Sequence, residues 1–440
     1  MFYTYHDSCS YAPASISGKN AKRLEDLYFI LQSLRLDEEC SILDVENSEV
    51  VKLLLSRNKK SQLKIMLSNP PYSNVQLGKI KNIASSIREK YTNLVIIGMG
   101  GAILNPMAVL NFGKYCSIND DIDVHYVYYL DLCELKRLSL ALNFEKTAFL
   151  VISQSGNTTE TVALCRYFID ISRKRGLVNL GKNFYFILGN LASDLGNIAN
   201  AIDAIVLRHD PHITGRFSTF TNVVLLPAQI LGLDIEEFCN GGATVLDRLY
   251  NNIDNESINS ALVLTKMIKD SFHTVDISYL HNLDFFLQWH LQIVTESLGK
   301  DAINISHTCA TCPLDQHRQF QLYLDGAKNK LFTLFFVNDS CSVLQGSADI
   351  NAYEYGKPLT VNSVLNTCYQ TTVESFIEKK LPTRSYLLQE LSMKSLGELM
   401  MHMIVETILT GCLLGINPFG QPQIDAIKQN LRTRLCQFPF

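Results

Sequence analysis

The sequence predicts an α/β protein built on a parallel, doubly wound sheet, with a second α/β series following it. Three observations carry this expectation. Short apolar runs recur from about residue 90, each closed by Gly, Asn, Asp or Ser. Amphipathic stretches of helix length separate them. After residue 260 the alternation resumes, with "LFTLFFVND" (331–339) as its clearest strand. Runs of this kind alternating with helices read as βαβ units, whose parallel strands are buried on both faces.

Taken in order, residues 1–75 read as a mainly helical lead-in, because "AKRLEDLYFILQSLR" (21–35) spaces its apolar residues at helical period. The first series, 76–235, supplies the strands "NLVII", "DVHYV", "TAFLVIS", "FYFIL" and "AIVLR". The second, 236–440, ends in C-terminal helices. Within it "SLGELMMHMIVETILTGCLLG" (395–415) is apolar on most of its circumference, as expected of a core helix or a subunit contact.

Composition excludes several classes. In 440 residues, 47% hydrophobic and 19% charged content describe a packed globular chain. Lys plus Arg (39) nearly balances Asp plus Glu (43), so no nucleic-acid footprint shows. The opening "MFYTYHDSCSYAPASISGKN" lacks a signal-peptide pattern, and "NVVLLPAQILGL" is too short to span a bilayer, which predicts a cytoplasmic protein without a membrane partner. Twelve scattered cysteines fit reduced thiols. One CxxC, Cys309–Cys312, has no second pair at zinc-finger spacing, so neither metal nor cofactor is expected.

Ligands of open parallel sheets bind beyond the carboxyl ends of strands. Two loops qualify. In "GMGGAILNP" (98–106), Gly100 and Gly101 permit close backbone approach, but Ile103 stands where a dinucleotide fingerprint needs its third Gly. In "SQSGNTTET" (153–161), five of nine residues are Ser or Thr around Gly156. Ser153, Ser155 and Thr158 are spaced to surround one oxyanion at a helix N-terminus. The loop carries no Lys or Arg, which favours a phosphate monoester over a triphosphate. The plainer alternative is that Asn157 or Thr158 merely caps the helix.

These residues resemble a known family. "SQSGNTTET" is similar to the phosphate loop of sugar isomerase domains. "GRFSTFTNVVLLP" (215–227), "ESLGKD" (296–301), "DQHRQFQLYLDG" (315–326) and "NPFGQPQIDAIK" (417–428) narrow the resemblance to the phosphoglucose isomerase family. The resemblance implies two flavodoxin-like sugar isomerase domains, a homodimer with a shared active site and a hexose phosphate substrate, with no metal. It further implies interconversion of glucose 6-phosphate and fructose 6-phosphate through a cis-enediol.

By the same resemblance, Glu296 is the base that moves a proton between C1 and C2. His317, from the partner subunit, opens the sugar ring, and Lys428 assists at the ring oxygen. Arg216 steadies the enediolate; Gln292 and Gln421 lie near phosphate and sugar. Two departures stand out: Ala102 replaces the usual Ser after the glycine pair, and Gln154 stands where many relatives carry Lys. Among rivals, a sugar-phosphate sensor has no use for Glu296, His317, Arg216 and Lys428 together. An amidotransferase needs an N-terminal Cys, and the first here is Cys9. A bifunctional glucose/mannose phosphate isomerase ranks second, since it belongs to shorter chains without the "GRFS" and "NPFGQP" segments.

Overall fold

The computed structural model describes residues 2–6, 74–116, 121–250, 256–337, 349–350 and 359–437. The expected lead-in helix over 21–35 lies outside them. The described start of the lead-in, Phe2–His6, is a strand, β1. The chain forms two compact units, one of residues 61–239 with 419–440, the other of 1–60 with 240–418. This division departs from the expected 1–75, 76–235 and 236–440 in two respects. The described start of the chain, Phe2–His6, belongs with the second series. The C-terminal segment 419–440 joins the first series, not the second.

The first unit runs α1 (Asn74–Arg88), β2 (Asn93–Ile97), α2 (Gly101–Gly113), β3 (Asp123–Val127), α3 (Leu132–Ala141), β4 (Thr147–Ser153), α4 (Thr159–Lys174), β5 (Phe184–Leu188), α5 (Asp194–Ala201), β6 (Ile205–Arg208) and α6 (Asn222–Ile230). Its strands pair in parallel in the order β3-β2-β4-β5-β6. That is the flavodoxin winding, which reverses direction between β2 and β4. Strand β4 is buried along its whole length, as its unbroken apolar run predicts. Phe149 stacks on Phe184 with ring centroids 4.6 Å apart. Local caps end the elements where the sequence places them. Asp131 accepts the Cys133 N–H, and Ser193 the Gly196 N–H.

The second unit contains α7 (Ile235–Tyr250) in most of its length, then α8 (Glu256–Lys269), β7 (His273–Ser278), α9 (Asp284–Leu298), β8 (His307–Thr311), α10 (Leu314–Arg318), α11 (Phe320–Asp325), β9 (Lys330–Val337), β10 (Asp349–Ile350), β11 (Leu359–Thr360), α12 (Val361–Glu378), β12 (Thr383–Leu388) and α13 (Met393–Leu413). The main sheet has the order β1-β12-β9-β7-β8, parallel except for β1, which runs antiparallel on β12. Strands β8-β7-β9-β12 repeat the winding of β3-β2-β4-β5. A last helix, α14 (Pro422–Leu435), belongs to the first unit and buries none of its residues.

Helix α13 is long and apolar enough to cross a membrane, yet 94% of its most apolar window is buried in the fold. It is a core helix packed on α8 and α9. Its buried charged residue Glu406 is paired. Glu406 takes a two-pronged pair of bonds from Arg384 of β12, at 2.9 and 3.0 Å, and a third from the Tyr386 hydroxyl at 2.8 Å. Removing one partner of so buried a pair costs about 3–5 kcal/mol.

One turn away, burial pushes the His402 imidazole down to about 4, with Glu406 working against the shift and Arg384 reinforcing it. The unfolded chain takes up that proton near 6.5 and the native protein only near 4. Between these values the unfolded state binds more protons, so stability falls as pH drops. The urea midpoint is therefore expected to fall from pH 7 to pH 5, with His402 contributing up to about 1.4 kcal/mol per pH unit. Replacing His402 with Gln should flatten that slope; an unchanged slope would remove His402 as its source.

Candidate active site

Strands β2 and β4 are neighbours, with Ile97 opposite Val151. The two loops singled out in the sequence therefore leave adjacent strand ends, at the point where the winding reverses. In the β4 loop, Ser153 is buried and its Oγ lies 3.2 Å from Thr158 Oγ1 while accepting the Gly156 N–H at 3.1 Å. Ser155 is exposed, and its Oγ accepts the Asn157 N–H at 3.2 Å. Gly156 adopts φ +67°, and a Cβ there would overlap Ser193 Oγ at the start of α5.

The plain capping alternative does not describe this loop. Thr158 stands at the N-cap of α4, but its side chain makes no capping bond. Asn157 turns away and accepts the Asp194 N–H of α5 at 2.9 Å. The first turn of α4 thus has no side-chain cap over its N–H groups, and the hydroxyls of Ser153 and Thr158 gather beside it. Gln154 donates to the Pro211 carbonyl at 2.9 Å and, being neutral, brings no charge to the loop. Arg432 of α14, which the sequence did not single out, donates to the Asn157 carbonyl and brings a guanidinium to the loop's edge.

In the β2 loop, Gly100 has φ 55° and ψ −128°. Gly101 packs backbone to backbone against Gly215 and Arg216, where any Cβ would overlap the Gly215 carbonyl. Asn105 ties the two segments by donating to the carbonyls of Gly101 (2.6 Å) and Gly215 (3.0 Å). Behind this contact Arg216 is buried. Its guanidinium donates to the carbonyls of Phe419 (2.8 Å) and Gly420 (3.4 Å) and to Gln421 Oε1 (3.3 Å). The chain thereby gathers Gly101, Arg216 and Gln421. Lys428 stands apart on the exposed face of α14, 4.0 Å from Asp425. An exposed ion pair of that kind contributes little to stability.

In the second unit, α9 carries Gln292 and Glu296 one turn apart, both half-buried, with the Gln292 amide donating to Glu296 Oε2 at 3.0 Å. His317 is exposed on α10, just after β8. Two residues before it, buried Asp315 accepts the Thr311 N–H at 2.6 Å and Arg318 Nε at 2.5 Å, fixing the turn that presents it. Burial alone would raise the Asp315 carboxyl, but Gln319, Thr311 and Arg318 hold it below the usual range. Cys309 and Cys312 are free thiols. Burial pushes Cys312 up to about 12 and Cys309 further, away from the thiolate that redox exchange requires.

A family model described as phosphoglucose isomerase matches residues 72–314, more than half of the chain. A glucose-6-phosphate isomerase of Rubrobacter xylanophilus is 27% identical over 375 residues, 78% of this chain and 82% of the relative. One of Carboxydothermus hydrogenoformans is 26% identical, covering 91% of this chain and 90% of its own. Among solved structures, a hypothetical protein of Thermus thermophilus superposes with a TM-score of 0.82 at 22% identity, covering 99% of this chain and all of its own. A glucose-6-phosphate isomerase of Chlamydia trachomatis gives 0.72 at 17% identity, covering 99% and 89%. At those identities the structures speak to the fold, which is the two-sheet α/β architecture described above.

Proposed function

The chain belongs to the phosphoglucose isomerase family, and we infer from this that it is an aldose–ketose isomerase that interconverts glucose 6-phosphate and fructose 6-phosphate. The observation that carries the reading to chemistry is the pair of loops at β2 and β4, whose hydroxyls, glycines and helix N-terminus suit a monoester phosphate. A sugar phosphate offers such a group at one end and the reacting carbons at the other.

Within this reading, Ser153, Ser155 and Thr158 hold the phosphate, and the backbone of Gly100 and Gly101 lines the sugar. Glu296 takes the proton from one carbon and returns it to the next, with Gln292 fixing one carboxyl oxygen through the bond at 3.0 Å. His317 transfers the proton that opens the ring, a task suited to an imidazole, which can both give and take a proton. Lys428 assists at the ring oxygen, Gln421 contacts the sugar, and the Arg216 guanidinium stabilises the charge of the enediolate. The test is direct: purified protein should form glucose 6-phosphate from fructose 6-phosphate, read through a coupled dehydrogenase, with no metal added. Absence of turnover with both hexose phosphates would overturn the reading.

The enzyme is further proposed to act in the cytoplasm, in glycolysis and gluconeogenesis, as a homodimer with His317 supplied by the partner. Helix α14 buries none of its residues and leaves Ile424 and Ile427 uncovered, which supports a second copy at that helix. Mixing inactive Glu296→Gln and His317→Ala subunits should restore partial activity in hybrids. Verified heterodimers without any recovery would place each site within one subunit.

A further inference from the structure

Beside the residues assigned to isomerisation but including none of them, three side chains from three elements of the second unit converge in its interior. They are Asp276 of β7, His290 of α9 and His307 of β8, and one ligand atom from each lies within 4.8 Å of the others. The register explains the convergence. Asp276 and Thr274 share one face of β7, and His307 pairs opposite Thr274 on β8. Asp276 Oδ2 lies 2.5 Å from His290 Nδ1 and 3.0 Å from His307 Nε2. The second nitrogen of His307 is held by Thr274 Oγ1 at 2.6 Å.

Two atoms of the cluster are left over. Asp276 Oδ1 and His290 Nε2 are buried, and neither has a hydrogen-bond partner among the described residues. A buried polar atom without a partner costs about 1–3 kcal/mol. Asp276 Oδ1 offers electron pairs, so what completes the cluster on that side is electron-poor; His290 meets Asp276 through Nδ1, and its Nε2 lies on the far side of the ring. One carboxylate with two imidazoles is a donor set that borderline divalent ions favour, and Thr274 fixes the far nitrogen of His307 as an outer-shell partner of a ligating histidine does.

We propose that Asp276, His290 and His307 hold a divalent transition-metal ion of the zinc class, with a buried water as its fourth ligand, at a site that clamps α9 to β7 and β8. Ligand atoms around such an ion stand roughly 3.3 Å apart, so the contacts at 2.5 and 3.0 Å need to open by less than about 1 Å. The ion takes no part in moving protons. It anchors the helix that carries Gln292 and Glu296, the latter six residues beyond His290 and so about 9 Å along the axis. Because the cluster is closed to solvent, the ion is taken up as the chain folds and resists chelators afterwards.

The proposal is independent of the isomerase reading, because metal content is measured whether or not the protein turns over sugar. Wild-type protein expressed in zinc-supplemented medium and dialysed against a chelator should retain about one zinc per chain by mass spectrometry of the metal. Expression with cobalt should give the intense visible absorption of a four-coordinate cobalt site. Asp276→Asn and His290→Gln should each lower retained metal about tenfold or more. Folded wild type holding less than about a tenth of an ion per chain in both media would overturn the proposal, and so would full occupancy in folded Asp276→Asn. Should the variants fail to fold, the two wild-type measurements decide alone.

Discussion

Replacing Glu296 with Gln is expected to lower kcat by roughly 10²- to 10⁴-fold, the range a positioned base contributes. The substitution keeps the shape of the side chain and an oxygen able to accept the Gln292 amide hydrogen, which now reaches Glu296 Oε2 at 3.0 Å. Helix α9 should therefore stay in place, and the thermal midpoint should change little. Binding of the sugar phosphate, measured by calorimetry, should persist, because the phosphate contacts are assigned to Ser153, Ser155 and Thr158. Undiminished turnover would remove Glu296 from its role. A joint loss of binding and stability would mark it as a structural residue instead.

Replacing Arg216 with Lys carries the second large effect, an expected fall in kcat/KM of about 10²- to 10³-fold. A lysine keeps the charge but not the planar fork. It cannot serve Phe419, Gly420 and Gln421 together, as the guanidinium does with bonds of 2.8, 3.4 and 3.3 Å. Each buried carbonyl left unpaired costs about 1–3 kcal/mol. The segment 419–421 should then loosen, and amide hydrogen exchange should rise through α14. If only a nearby positive charge mattered, the lysine variant would keep activity within a few-fold and exchange would not change.

The strand most legible in the sequence is the one whose buried run is almost wholly apolar. β4, "TAFLVIS", is buried throughout and passes directly into the hydroxyl loop, so both strand and site announced themselves. β7, β8 and β12 escaped notice because polar residues interrupt their buried positions. Asp276 on β7 is matched by His290 and His307, and Arg384 on β12 by Glu406, Thr333 and Ser260. Such charges break an apolar run on paper, and only their partners, distant in sequence, make them tolerable inside.

Distance along the chain hid other features too. Arg216 reads as a surface cation until Phe419, 203 residues away, supplies the carbonyl that buries it. Helix α14 was legible as a helix, with Pro422 opening it. Its unit was not legible, since it has no buried face. Arg216 holds the segment leading into it, and Arg432 reaches the Asn157 carbonyl from its last turn. Likewise, no spacing in the sequence marks Asp276, His290 and His307 as neighbours, since sheet register and helix packing bring them together.

The central claim is that a carboxylate carries a proton between adjacent carbons of a hexose 6-phosphate. Incubating the wild-type enzyme with fructose 6-phosphate in deuterium oxide, through many turnovers beyond equilibrium, tests it most directly. Proton transfer through Glu296 predicts deuterium at C2 of the recovered glucose 6-phosphate, because a carboxyl proton exchanges with solvent between abstraction and return. Equilibrated sugar phosphates that carry no deuterium at C1 or C2 would mean that hydrogen passes directly from carbon to carbon, and would contradict the account.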